Sequence, residues 1–173
     1  MKKNACILLF AFISYAAHSQ GFVQKDVIVN LGAGLSKDFS HYDPSYKRAF
    51  PVSASVEYII YPHLKATRGS LGLGAETAFF QYKIAGQMYH VVKVGLFINA
   101  HYAITTQLSA FGGVMPSILL SNYSGQVDGV EGYTGMEQEI FGGIAWYPYS
   151  RLGLFIQLST AETMVKTGLS LKF

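Results

Sequence analysis

Seven ionisable side chains share one property: each falls on the more polar side of an alternating segment. They are Glu57, Glu76, Lys93, His101, Glu139, Arg151 and Lys166. Charges gathered on one face have two uses. They can relay protons or hold a solute, or they can satisfy one another as an internal network, because a charge removed from water is costly unless paired. Their spacing suggests no metal chemistry: His41, His63, His90 and His101 show no convincing ligand spacing to a second histidine or a carboxylate. The segment around Asp128 lacks the ligand count of a calcium loop. There is no G-x-S-x-G elbow. The residues therefore nominate no catalytic, cofactor-binding or metal site, and no cofactor is expected.

The elements that carry these groups read as strands. In the last ten residues Val165, Thr167, Leu169, Leu171 and Phe173 alternate with Met164, Lys166, Gly168, Ser170 and Lys172, a period of two with one apolar and one polar side. Seven earlier stretches repeat the pattern, near 27–36, 52–60, 71–80, 92–102, 108–120, 139–146 and 151–159. Segments of about ten residues suit tilted strands crossing hydrocarbon, and an even number of them closes without an edge. The expected fold is all-β: an eight-stranded antiparallel up-and-down transmembrane β-barrel. Expected outer loops are Lys37–Ala49, Lys83–Tyr89, Tyr123–Met136 and Thr160–Thr163; inner turns are Pro62–Gly69, Thr105–Thr106 and Pro148–Ser150.

Packing follows from the same alternation. The inward side carries Gly32, Gly34, Gly72, Gly74, Gly95, Gly113, Gly143, Gly153 and Gly168, and also Phe80, Phe97, Phe111, Phe141 and Phe155. Rings laid over glycines fill a narrow barrel, which favours an internal polar network over an open pore. Tyr58, Tyr61, Phe79, Tyr102, Trp146, Tyr147, Tyr149 and Phe173 cluster near strand ends, as an interfacial girdle requires. Pro116 interrupts a strand and predicts a bulge toward the outer rim.

The N-terminus reads as an export signal: Lys2 and Lys3, an apolar stretch from Ala5 to Ala17, then Ala17-His18-Ser19 with cleavage before Gln20. Residues 1–19 form the expected signal peptide and 20–173 a single domain. The mature chain has no cysteine, since Cys6 lies in the signal. Without Lys2 and Lys3, 11 basic residues face 10 acidic ones, a balance that argues against nucleic acid as a partner.

The terminal strand, with Leu169, Leu171 and Phe173, resembles the signal read by the barrel-insertion machinery of Gram-negative bacteria. With the export signal and eight alternating segments, the chain resembles the small outer-membrane β-barrel proteins, the broad class with OmpX- and OmpW-like members. Gln20 at the mature terminus is similar to exported proteins of Bacteroidota. The resemblance covers the mature chain and implies outer-membrane residence. It also implies contact with membrane lipid and lipopolysaccharide, and a non-enzymatic structural or surface role through extracellular loops.

Lys47 and Arg48, in a basic and aromatic loop, are the candidate contacts for an anion or an extracellular partner. Some barrels of this class act on lipid A, and the deacylases set His and Ser two apart. Here His101 is followed by Tyr102 and Ala103, and His90 by Val91 and Val92. Two non-enzymatic alternatives remain: a barrel carrying small hydrophobic solutes, and a secreted soluble barrel with its apolar side inward.

Overall fold

Valine, isoleucine, leucine and aromatic residues at every second position suit a pleated backbone, and no stretch carries a competing helical period. The computed structural model describes residues 26–36, 47–48, 50–62, 68–84, 87–123, 133–161 and 163–173. The expected signal peptide, most of the outer loop at 37–49, and His41 and His63 lie outside the described residues. Among the described residues the regular elements are all strands. They are β1 (Val27–Ser36), β2 (Lys47–Arg48), β3 (Val52–Tyr61), β4 (Gly69–Ile84), β5 (Gln87–Ala103), β6 (Leu108–Tyr123), β7 (Tyr133–Trp146), β8 (Leu152–Ser159) and β9 (Thr163–Lys172).

Eight of them close into an antiparallel ring in the order β1, β3, β4, β5, β6, β7, β8, β9, with β9 returning to β1. At the seam Leu31 faces Leu169 and Gly32 faces Gly168. Val27 N–H donates to the Phe173 carbonyl at 3.0 Å, and Phe173 N–H donates to the Val27 carbonyl at 2.9 Å. Closure leaves no long edge strand with unpaired backbone groups. The two-residue β2 pairs with β4 beyond the end of β3, placing Lys47 opposite Lys83 and Arg48 opposite Tyr82.

The two faces differ as the alternation requires, and their orientation is inverted relative to a water-soluble protein. Leu96 is 66% exposed and Ile140 63%, whereas Glu57 and Glu139 are each 1% exposed. Apolar side chains line the outside of the ring and ionisable ones its interior.

Two connections differ from expectation. The span Lys83–Tyr89, expected as a loop, is mostly ladder: β4 and β5 pair out to Ile84 opposite Gln87. β6 runs to Tyr123 and β7 starts at Tyr133, so both take residues from the expected third loop. A backbone ladder needs no period-two side-chain pattern to continue. At the opposite end the expected Thr105–Thr106 turn is held by the Thr105 hydroxyl, which accepts from the backbone N–H of Gln107 at 3.2 Å and of Leu108 at 2.9 Å.

Pro116 makes no bulge between β5 and β6. Gly95 faces Ser117 and Ile98 faces Val114, one unbroken register, but the pairings between them are missing. Toward β7 the ladder is continuous through Pro116 opposite Gln138. A proline at a paired site deletes a donor without shifting the strand. Pro116→Val restores that donor, and we expect it to stabilise the barrel by about 1 kcal/mol, read as a raised urea midpoint. An unchanged or lowered midpoint would show that the missing donor costs nothing.

Candidate functional site

The interior is built by residues reaching across glycines. The Phe141 ring lies over Gly113 and the Phe111 ring over Gly143, positions where a Cβ would strike both the ring and a neighbouring backbone carbonyl. Phe97, Met115 and Phe141 form a buried cluster with Phe111 against it; the Phe97 and Phe141 rings meet edge-on at 5.9 Å and 89°. This apolar wall occupies one side of the lumen, formed by β5, β6 and β7.

Against it stands a ring of four charges. Lys166 on β9 donates from Nζ to both carboxylate oxygens of Glu76 on β4, at 2.7 and 2.8 Å, and lies 3.7 Å from Glu139 Oε1. Lys93 on β5 donates to Glu139 Oε2 on β7 and lies 3.8 Å from Glu76 Oε1. Ammonium and carboxylate groups alternate, so the four charges cancel. Neither β4 and β9 nor β5 and β7 are adjacent strands, so these contacts cross the lumen and do not run along its wall. Gln157 Nε2 adds a longer contact of 3.5 Å to Glu139 Oε1.

A second cluster adjoins the first. Glu57 on β3 lies across Gly72 of β4, where any Cβ would displace its carboxylate. It thereby reaches β5: His101 Nε2 donates to Glu57 Oε1 at 2.7 Å, and Asn99 Nδ2 donates to Oε2 at 3.3 Å. A polar cavity of about 30 Å³ touches both clusters, with Ser53, Ser55, Glu57, Asn99, His101 and Lys166 among its walls. Tyr147 also lines it and shares a 2.8 Å hydrogen bond with the Ser170 hydroxyl. Burial pushes the Tyr147 phenol up to about 12, and the negative charges of Glu57 and Asp26 act in the same direction. The hydroxyl therefore stays neutral.

Of the seven ionisable residues expected inside, Glu57, Glu76, Lys93, His101, Glu139 and Lys166 face the lumen. Arg151 does not. It is exposed in the turn before β8, where the chain has not yet entered the pleat and strand alternation no longer sets direction. Tyr147, expected in the outer aromatic girdle, instead turns inward over Gly153 just past the end of β7. Trp146, Tyr149 and Phe173 are exposed, as are Tyr58, Tyr61, Phe79 and Tyr102.

Asn99 and Gln157 sit on the inward parity of their strands, a signal present in the sequence, although neither was singled out for a role. His90 lies at the far end of β5, stacked on Phe79 at 6.1 Å and within 3.0 Å of Gln81 Nε2. For Lys47 and Arg48 only the backbone pairing on β4 is described. Among the described residues no group of three or more His, Cys, Asp or Glu side chains is placed to hold a metal ion.

The geometry defines a class: a closed, all-antiparallel eight-stranded β-barrel with its charges inside. No family model matches the chain, and no curated protein matches it. Among solved structures it is similar to a chain described under "De novo design of transmembrane beta-barrels", with a TM-score of 0.55 and 11% identity over 89% of this chain and 100% of that one. At that identity the likeness is one of fold.

Proposed function

We propose that this chain is an outer-membrane β-barrel protein whose role is structural or surface-directed rather than enzymatic, with a plugged lumen instead of an open pore. The observation that carries the reading is the outward band of leucine, isoleucine and valine on a closed barrel whose interior holds the charges. That distribution is stable where the surrounding medium is hydrocarbon, and a soluble ligand-binding barrel requires the reverse. The fold likeness to a transmembrane design agrees with this placement.

Support for a plugged lumen comes from the four-charge ring spanning it and the aromatic wall beside it. Support for a non-enzymatic role comes from the ionisable groups, whose contacts run to one another. The finer assignment follows the sequence: residues 1–19 as the export signal of a Gram-negative protein of the OmpX- and OmpW-like class, Bacteroidota in type. Leu169, Leu171 and Phe173 serve as the signal for the insertion machinery, and lipopolysaccharide and membrane lipid are the standing partners. The loop residues Lys47 and Arg48 are the contacts for an anion or an extracellular partner.

The test is heat modifiability. Outer-membrane fractions extracted in mild detergent should give a fast-running band unboiled that slows on boiling, and planar bilayers should show no sustained conductance. A soluble protein with no mobility shift overturns the membrane reading, and a steady conductance overturns the plugged lumen.

A further inference from the structure

The short strand β2 sorts its two cations onto different faces. It pairs with β4 so that Lys47 stands directly opposite Lys83 and Arg48 directly opposite Tyr82. Residues opposite each other in a ladder share a face, and successive residues take opposite faces. Lys83 has the parity of Leu73 and Phe79, which are exposed on the outer wall, whereas Tyr82 has the parity of Ala78 and Phe80, which are buried. Lys47 and Lys83 therefore belong to the outward face and Arg48 to the other. On β5 the residue opposite Lys83 is Met88. Like charges directly opposite in a ladder destabilise it. Among the described residues, neither β2 nor the outer ends of β4 and β5 carry a carboxylate that could offset the pair.

The outward face of β4 is also graded along its length. The apolar band ends at Phe79, with His90 stacked on its ring. Gln81 follows, its Nε2 3.0 Å from His90 Nδ1, and Lys83 comes next on the same parity. From Phe79 to Lys83 the strand rises about 13 Å, or roughly 10 Å along the membrane normal at the usual barrel tilt. That is headgroup height, just above the hydrocarbon. We propose that Lys47 and Lys83 form a binding site for the phosphate of an outer-leaflet lipid headgroup, with Lys83 rather than Arg48 as the second cation. A phosphate bound by both ammoniums cancels the repulsion that the ladder otherwise carries, and it gains charge-assisted hydrogen bonds.

The site rests on the membrane reading and narrows the anion contact proposed above. Its test starts from barrel that already shows the fast-running unboiled band, so the two readings fail separately. Folded protein in neutral dodecyl maltoside micelles is heated with and without added lipid A, and the temperature of conversion to the slow band is read. Lipid A should raise the midpoint saturably, by about 2–4 °C, and salt should shrink the rise. Lys47→Gln and Lys83→Gln should each remove most of it, and Lys83→Arg should keep it. Arg48→Gln should lower it less, and Arg151→Gln, in the turn at the opposite end of the barrel, should leave it unchanged. Without lipid A, Lys83→Gln should convert no earlier than the parent, because it removes one of two like charges. No rise with lipid A, a rise that survives Lys83→Gln, or earlier conversion of Lys83→Gln without lipid A overturns the site. An equal rise from inorganic phosphate at the same concentration overturns the lipid as its source. A rise abolished by Arg48→Gln and spared by Lys83→Gln overturns the cross-strand pair and leaves Lys47 and Arg48 as the anion contact.

Discussion

Glu139→Ala should destabilise the barrel by about 3–5 kcal/mol, the range observed when one member of a buried ion pair is removed. The size follows from what stays behind. Lys93 is 2% exposed, and without Glu139 its remaining carboxylate is Glu76 at 3.8 Å, which is already engaged by Lys166. An ammonium then sits buried with most of its compensation gone.

The charge pair itself contributes far less than this loss suggests, because folding must first strip water from both groups. Replacing both partners, Glu139→Leu with Lys93→Met, should therefore recover most of the stability lost by the single change. Urea midpoints of the folded, unboiled form measure all three proteins. A single variant within about 0.5 kcal/mol of the parent would mean that water reaches the ring and that it plugs nothing.

The second large effect lies at the seam. Gly168 on β9 faces Gly32 on β1, and a methyl group at position 168 would collide with the Leu31 carbonyl oxygen and the Gly32 Cα. Both are backbone atoms, so no side-chain rotation relieves the clash; the strands must separate where the first and last strands of the barrel join. Gly168→Ala should cost at least the 1–3 kcal/mol typical of overpacking and lower the folded fraction during refolding. Gly142→Ala is the matched control. Its added methyl meets Phe111 O at 3.5 Å, an ordinary contact, and its folded yield should match the parent. The gel ratio of fast to slow band reads both, and equal yields for the two variants would show that the seam tolerates a wider spacing.

Legibility from sequence followed physical distance along the chain. Strand identity and facing are local, because successive side chains in a pleat point to opposite sides. That Glu57, Glu76, Lys93, His101, Glu139 and Lys166 lie on one and the same side of the sheet could therefore be read from parity alone. Parity stops working where the pleat stops, which is why Arg151 and Tyr147, both in the link between β7 and β8, face the side opposite to the one the alternation predicts. It also fades along the outer ends of β4 and β5, so the alternation ends before the β4–β5 ladder does. The missing donor of Pro116 was legible, but its consequence was not, since both neighbouring strands had to be known before a gap could be told from a bulge.

What the sequence by itself determined is the inventory and its sidedness: eight alternating segments, an apolar face, and a second face carrying carboxylates, ammoniums, rings and glycines. Only the tertiary structure decided which face turned inward and which charges met. Alternation is symmetric with respect to inside and outside, and orientation appears only when the sheet curls and closes β9 on β1. Pairing across a lumen depends on register summed over several strands: Lys166 and Glu76 are 90 residues apart in sequence and three ladders apart around the ring. A shift of one residue in any of those ladders would turn one partner to the opposite face, so no local pattern in the chain could have named the pair.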